Sequence, residues 1–134
     1  MIFLDSNIWL YGYSIDTDDA KRNASLELAE SPDVCLSSQV VNEVMSNILR
    51  KKLGTEPFVR QLIEELYADY PVLEILREDI RTASVLRESY RFSYWDSLIV
   101  ATALRSHSEI LYSEDMQHGL IVQERLEVRN PFAR

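Results

Sequence analysis

Met1-Ile2-Phe3-Leu4-Asp5-Ser6-Asn7 decides how this chain is read. Its apolar run is too short for a helix and ends on an aspartate and two small polar residues, the pattern of a buried strand and its exit turn. A strand that ends this way delivers one carboxylate to an edge of a sheet. Which edge depends on how the later strands pair.

Those strands alternate with helices. Asp18 to Ala29 is polar, with Ala20, Ala24 and Leu28 at four-residue spacing, a thin helical stripe. Val34 to Leu36 reads as a second strand between Ser31-Pro32-Asp33 and Ser37-Ser38. Ser38 is expected to cap a helix that carries Val40, Val41, Val44, Ile48 and Leu49 and stops at Gly54. Thr55 is expected to cap another, with Pro57 tolerated in its first turn, Phe58, Leu62 and Leu66 on one side and Pro71 as its end. Val72 to Leu76 reads as a third strand, Asp79 to Tyr90 as a helix, and Ser93 to Ser106 as a more apolar one. Ile110 to Ser113 reads as a fourth strand and Leu126 to Arg129 as a fifth at the edge, closed by Asn130-Pro131.

Strands separated by helices, with no tight two-residue hairpin signal, imply parallel pairing and a three-layer α/β domain. Ligands in such sheets sit beyond the carboxyl ends of the strands. Asp5 is therefore expected at the functional edge.

The 134 residues show no repeat, low-complexity stretch or linker, so residues 1–134 are read as one domain. A composition of 46% hydrophobic and 27% charged residues is that of an ordinary globular protein. The single cysteine, Cys35, excludes an intrachain disulfide and a Cys-based zinc site, and in Val34-Cys35-Leu36 it reads as a small buried hydrophobe. No basic segment precedes a signal-type apolar core and no stretch approaches bilayer length, so the expectation is a soluble, cytoplasmic protein without membrane contact. The net charge of -8 speaks less strongly against nucleic acid than its sign suggests. Acids gathered at a metal site can dominate net charge while a separate basic face binds phosphates, and an acidic surface also suits a basic protein partner.

Three further acids share Asp5's kind of placement. The fourth strand runs out into Ser113-Glu114-Asp115, which puts Asp115 at the same edge if both strands are parallel and central. Acids also favour turns and helix N-termini for their own sake. Asp96 follows Ser93 at capping-box spacing, yet the helix it opens, Ser97-Leu98-Ile99-Val100-Ala101-Thr102-Ala103-Leu104, is apolar nearly all round. Cap and site both remain open for it. Glu43 lies at the border of the face carrying Val40, Val41, Val44 and Ile48, where a solvated role competes with one at the sheet edge.

Convergence of these acids would need compensation. Two like charges 4 Å apart repel by about 4 kcal/mol at an effective dielectric of 20, a serious fraction of a domain's ~5–15 kcal/mol stability. Such a cluster persists only with bound cations or raised pKa values. All-oxygen donors favour Mg²⁺ or Mn²⁺ over zinc, and hard cations that keep waters suit phosphodiester hydrolysis.

Phe3-Leu4-Asp5-Ser6-Asn7, Glu43, Tyr94-Trp95-Asp96-Ser97-Leu98-Ile99-Val100-Ala101-Thr102-Ala103 and Leu111-Tyr112-Ser113-Glu114-Asp115 together resemble the PIN domain, and within it the VapC-type toxin ribonucleases. The resemblance runs over essentially the whole chain. It implies a central parallel sheet in the order 3-2-1-4-5 flanked by helices, and Mg²⁺ or Mn²⁺ held by Asp5, Asp96 and Asp115. It implies RNA cleavage by Asp5, Glu43, Asp96 and Asp115, homodimerisation, and neutralisation by a cognate antitoxin protein of a type II pair. Asn7 and Ser113 fall on the family's small polar supporting positions, and Glu114 replaces the commoner basic or neutral residue there. His118, in Met116-Gln117-His118-Gly119, is either a substrate contact or simply solvated.

The basic residues admit two readings. Arg50-Lys51-Lys52 closes a helix, where cations complement the dipole. Arg77, Arg81, Arg87 and Arg91 form a solvated face or, in part, a path for phosphates. Trp9, Tyr11 and Tyr13 are read as filling a dimer or antitoxin interface in preference to stacking bases. Two rivals to the nuclease reading stand beside it. A haloacid-type phosphatase would put an aspartate where Asn7 stands, and a non-catalytic PIN-like protein-binding module would need none of the four acids.

Overall fold

The computed structural model describes residues 1–15 and 17–133. The elements run β1 (Ile2–Leu4), α1 (Ser6–Tyr13), α2 (Asp19–Ala29), β2 (Val34–Ser37), α3 (Ser38–Arg50), α4 (Glu56–Asp69), β3 (Val72–Leu73) and α5 (Arg77–Ser89). They continue through α6 (Tyr94–Arg105), β4 (Ile110–Tyr112), β5 (Ile121–Val122) and β6 (Leu126–Arg129).

One sheet takes the order β3-β2-β1-β4-β6-β5. Its first five strands are parallel, with β1 at the centre, where Leu4 pairs with Tyr112 and Phe3 with both Cys35 and Leu111. The expected parallel order therefore holds, with Leu126–Arg129 as the fifth place. Phe3, Leu4, Cys35, Leu36, Leu111, Leu126 and Val128 are all fully enclosed. A parallel sheet covered by helices on both faces explains why its strands read as continuous apolar runs.

Several expected details differ. A short strand, β5, adds antiparallel to β6 through the tight turn Val122-Gln123-Glu124-Arg125, a hairpin with a three-residue connection that the sequence reading did not include. Gln123 and Glu124 both hold positive φ, 50° and 59°, where Asn-Gly is the usual signal. The Tyr90 hydroxyl accepts from the Gln123 amide at 2.9 Å and helps hold the turn. Ser6–Tyr13 forms a helix capped by Asp5, where only a turn was expected. The cap of α3 is Ser37, whose hydroxyl accepts from the Val40 amide at 3.3 Å, in place of Ser38. That helix ends before Gly54: Lys52 takes φ 57°, and the Leu53 and Lys52 amides return to the Ile48 and Leu49 carbonyls, a Schellman closure. The third strand stops at Leu73, since the Glu74 carbonyl accepts from Arg105 Nη2 at 2.7 Å, and α5 begins at Arg77.

Trp9 corrects another expectation. It is 4% exposed, donates its indole N–H to the Leu4 carbonyl at 3.1 Å and meets Tyr70 edge-on, so it fills the core and offers nothing to a partner. Tyr13 packs against the same core, and burial pushes its hydroxyl up to about 12. Cys35 is fully buried beside Ser108, as its apolar surroundings suggested.

Candidate functional site

Asp5 leaves the central strand as the N-cap of α1, with its backbone amide still in the ladder at 3.0 Å from the Tyr112 carbonyl. Its side chain is enclosed. Oδ1 accepts from the Ser6 amide at 2.7 Å, and Oδ2 accepts from the Ser113 hydroxyl at 2.8 Å. Since β4 is the parallel neighbour of β1, the first residue past one strand meets the first residue past the other. That is why Ser113, fully buried, reaches Asp5.

Burial dominates the ionisation of Asp5 and lifts its pKa to about 7. The Ser113 hydroxyl and Ser6 amide oppose this, while the charges of Glu43 and Asp96 add to it. Glu43, one turn into α3, is raised by burial and by Asp96, against bonds from Gln39 and Ser6. Asp96, in the first turn of α6, is raised by burial and by Asp115, against the Ser93 hydroxyl. Asp115 accepts from the Asn7 amide Nδ2 at 3.1 Å. The fold therefore brings Asp5, Glu43, Asp96 and Asp115 to one edge, where their charges act on one another.

The Ser93 hydroxyl accepts from the Asp96 amide at 3.1 Å, so half of a capping box forms. The Asp96 carboxylate does not close the other half by returning to the Ser93 amide. It lines a cavity of about 300 Å³ together with Tyr90, Arg91, Phe92 and Asp115.

Glu114 points elsewhere. It pairs with Lys21 at 2.6 Å and accepts from the Tyr11 hydroxyl. Burial alone would raise its carboxyl, but Lys21 and Tyr11 hold it below its usual range. Lys21 also lies over the rings of Tyr11 and Phe132, at 5.1 and 5.3 Å from their centroids. His118 sits in the loop beyond Asp115, and its Nδ1 accepts from the Asn130 amide at 2.9 Å.

Gln39 and Ser6 escaped the sequence reading. Gln39 Nε2 reaches Glu43 at 3.4 Å and the Trp95 carbonyl at 3.0 Å, fixing α3 to the start of α6. Its spacing of four from Glu43 on a helix was the available signal. Ser6 carried only its adjacency to Asp5.

Among the described residues, no three His, Cys, Asp or Glu side chains converge closely enough to form a ready-made metal cage. The donor set still fits a hard divalent cation in kind. It is all carboxylate oxygen, and Mg²⁺ typically binds through one or two carboxylates while keeping several waters.

The PIN domain family model matches residues 2–119. The chain belongs to the PIN domain family. Solved structures carry the same fold at low identity. A toxin-antitoxin complex from Klebsiella pneumoniae superposes with a TM-score of 0.73 at 20% identity, covering 98% of each chain. VapC20 of Mycobacterium tuberculosis, described as a sarcin-ricin loop cleaving toxin, gives 0.69 at 18%, over 83% of this chain and 87% of that one. FitAcB of Neisseria gonorrhoeae gives 0.67 at 19%, over 98% and 99%. No curated protein matches the sequence closely enough to count as a relative. Within this PIN domain no helix among the described residues is long and apolar enough to cross a membrane.

Proposed function

We propose that the chain is a metal-dependent endoribonuclease and the toxin of a type II toxin-antitoxin pair. The observation that carries this reading is Asp5: a carboxylate buried at the carboxyl end of the central strand, lifted to about 7, with Glu43 and Asp96 near enough to raise it further. An enclosed acid cluster of this kind is costly to stability and consistent with a site kept for chemistry.

Asp5, Asp96 and Asp115 would hold Mg²⁺ or Mn²⁺, directly or through waters. The cation supplies Lewis acidity at the phosphoryl oxygens and lowers the pKa of a bound water. Ser113 and the Ser6 amide fix the Asp5 carboxylate, and Asn7 orients Asp115. Glu43 would orient the attacking water or take its proton at Oε, a role that its hydrogen bond from Gln39 supports. Water would attack phosphorus in line, giving a proton to Glu43, and the P–O bond opposite would break with its oxygen taking a proton from solvent, without a covalent intermediate. Glu114 supports the site indirectly, tying the strand exit to α1 through Tyr11 and to α2 through Lys21.

Toxin-antitoxin complexes among the structural neighbours support a cognate antitoxin as partner. The exposed side chains of Ile80, Tyr94 and Trp95, which line a groove of about 680 Å³ between α3 and the α5–α6 pair, support a protein interface, of a homodimer or with the antitoxin. A cytoplasmic location follows from that role, and residues 1–134 act as one domain.

The test is calorimetric titration of Mn²⁺ into the metal-free chain and into Asp5→Asn. Saturable binding that the substitution abolishes is expected, together with chelator-sensitive new ends in an RNA pool. A folded protein that binds no Mn²⁺ would leave the protein-binding module as the better reading.

A further inference from the structure

Two cavities flank the acids and share Asp115. One, of about 250 Å³, is lined by Ser6, Asn7, Asn47, Lys51 and Glu114 on the α1 and α3 side. The other, of about 300 Å³, is lined by Tyr90, Arg91, Phe92 and Asp96 on the α5 to α6 side. Each contains one exposed cation. Among the described residues neither Lys51 nor Arg91 stands within ion-pair distance of an acid, whereas Lys21, Arg105 and Arg129 do.

The other arginines before α6 are elsewhere. Arg87 donates to the Ser97 hydroxyl at 2.7 Å and lies over the Tyr94 ring, and Arg81 faces a separate cavity with Arg105 and Arg125. Of the candidate phosphate contacts on that segment, Arg91 lines a cavity with Asp96 and Asp115. Its neighbours there, Tyr90 and Phe92, stack on each other at 5.6 Å and pack in part against the core, which gives that cavity an aromatic wall. On the opposite side Lys51 is the C-cap of α3, and the Schellman closure at Lys52 fixes the backbone there.

We propose that a single RNA strand crosses Asp115 from the Lys51 cavity to the Arg91 cavity, so that these two cations hold the phosphates on either side of the one attacked. This rests on the nuclease reading. It gives a chain of net charge -8 two points of attraction for a polyanion directly beside the acids.

The test uses the full chain carrying Asp5→Asn, which binds without cleaving, and fluorescence anisotropy with a short labelled single-stranded RNA of randomised sequence in Mg²⁺ across a salt series. Each phosphate contact on a single strand contributes about 0.7 to the slope of log K against log salt. Lys51→Gln and Arg91→Gln should each lower that slope by about 0.7, and the pair by about twice as much. Lys52→Gln, the adjacent exposed cation that lines neither cavity, should leave it unchanged. Both cavity positions are exposed, so circular dichroism should find the variants folded. Binding with unaltered slopes overturns the path while the nuclease reading stands. No RNA binding by the Asp5→Asn chain overturns the path, and a silent Mn²⁺ titration of the unsubstituted chain overturns the nuclease reading with it.

Discussion

Asp5 is held by two donors and still resists ionisation. Its unfolded pKa is near 3.8 and its folded pKa about 7, because burial outweighs the Ser113 and Ser6 bonds. Between those values the folded chain keeps a proton that the unfolded chain has released, so stability falls as pH rises through the window. The full difference is on the order of 4 kcal/mol at pH above about 7. Burial also raises Glu43 and Asp96, which act in the same direction. Asp5→Asn keeps a carbonyl oxygen for the Ser6 amide but has nothing to ionise. The metal-free variant should melt higher than the parent at about pH 8, with the gap closing toward about pH 4. Melting curves across pH read this directly, and a gap of constant size would mean that another group carries the burden. The same substitution is expected to abolish Mn²⁺ binding, so stability and metal affinity should move in opposite directions.

At the scale of elements, α5 and α6 are joined by an ion pair whose acid is buried and whose arginine is partly exposed. Arg105 Nε and Nη2 donate to the two oxygens of Asp79 at 2.8 and 3.0 Å, and Asp79, 1% exposed, also accepts from the Leu76 amide at 2.8 Å. Removing the arginine leaves a buried carboxylate with one donor. Arg105→Met should cost about 3–5 kcal/mol in urea unfolding, and adding Asp79→Leu should recover part of it. A cost within experimental error would show that water reaches Asp79 readily. The pairing was not legible in the sequence, because a helix-ending cation and a first-turn acid each have a sufficient local role. The helix α1 was missed for a different reason. Ile8, Trp9 and Leu10 are consecutive and all buried, so no stripe of period 3.6 marks it, and Asp5, its cap, reads equally well as a strand exit. The hairpin at β5 and β6 was missed because Gln123-Glu124 carries none of the chemistry that usually announces a left-handed turn.

At the scale of the molecule, the alternation of short apolar runs with helical stripes was enough to call a parallel sheet between helices, while the order of its strands came from the family resemblance. The acids were legible because they occupy strand exits and first helical turns, positions that a parallel sheet gathers at one edge. Their supports were less so: Ser113 was marked only by family resemblance, and the Lys21 bond to Glu114 spans 93 residues with no local trace. The family match ends at Gly119, yet β6 is the hydrogen-bonded neighbour of β4, and Val122, Leu126 and Val128 are fully buried beyond that point. Losing them would strip one side of β4 of its partner and leave an apolar strand edge open to other chains. A chain ending at Gly119 should therefore show no cooperative thermal transition and should aggregate, whereas the full chain should melt in a single calorimetric step. A truncated chain that still melts cooperatively would make residues 120–134 an appendage and move the folding boundary to the end of the family match.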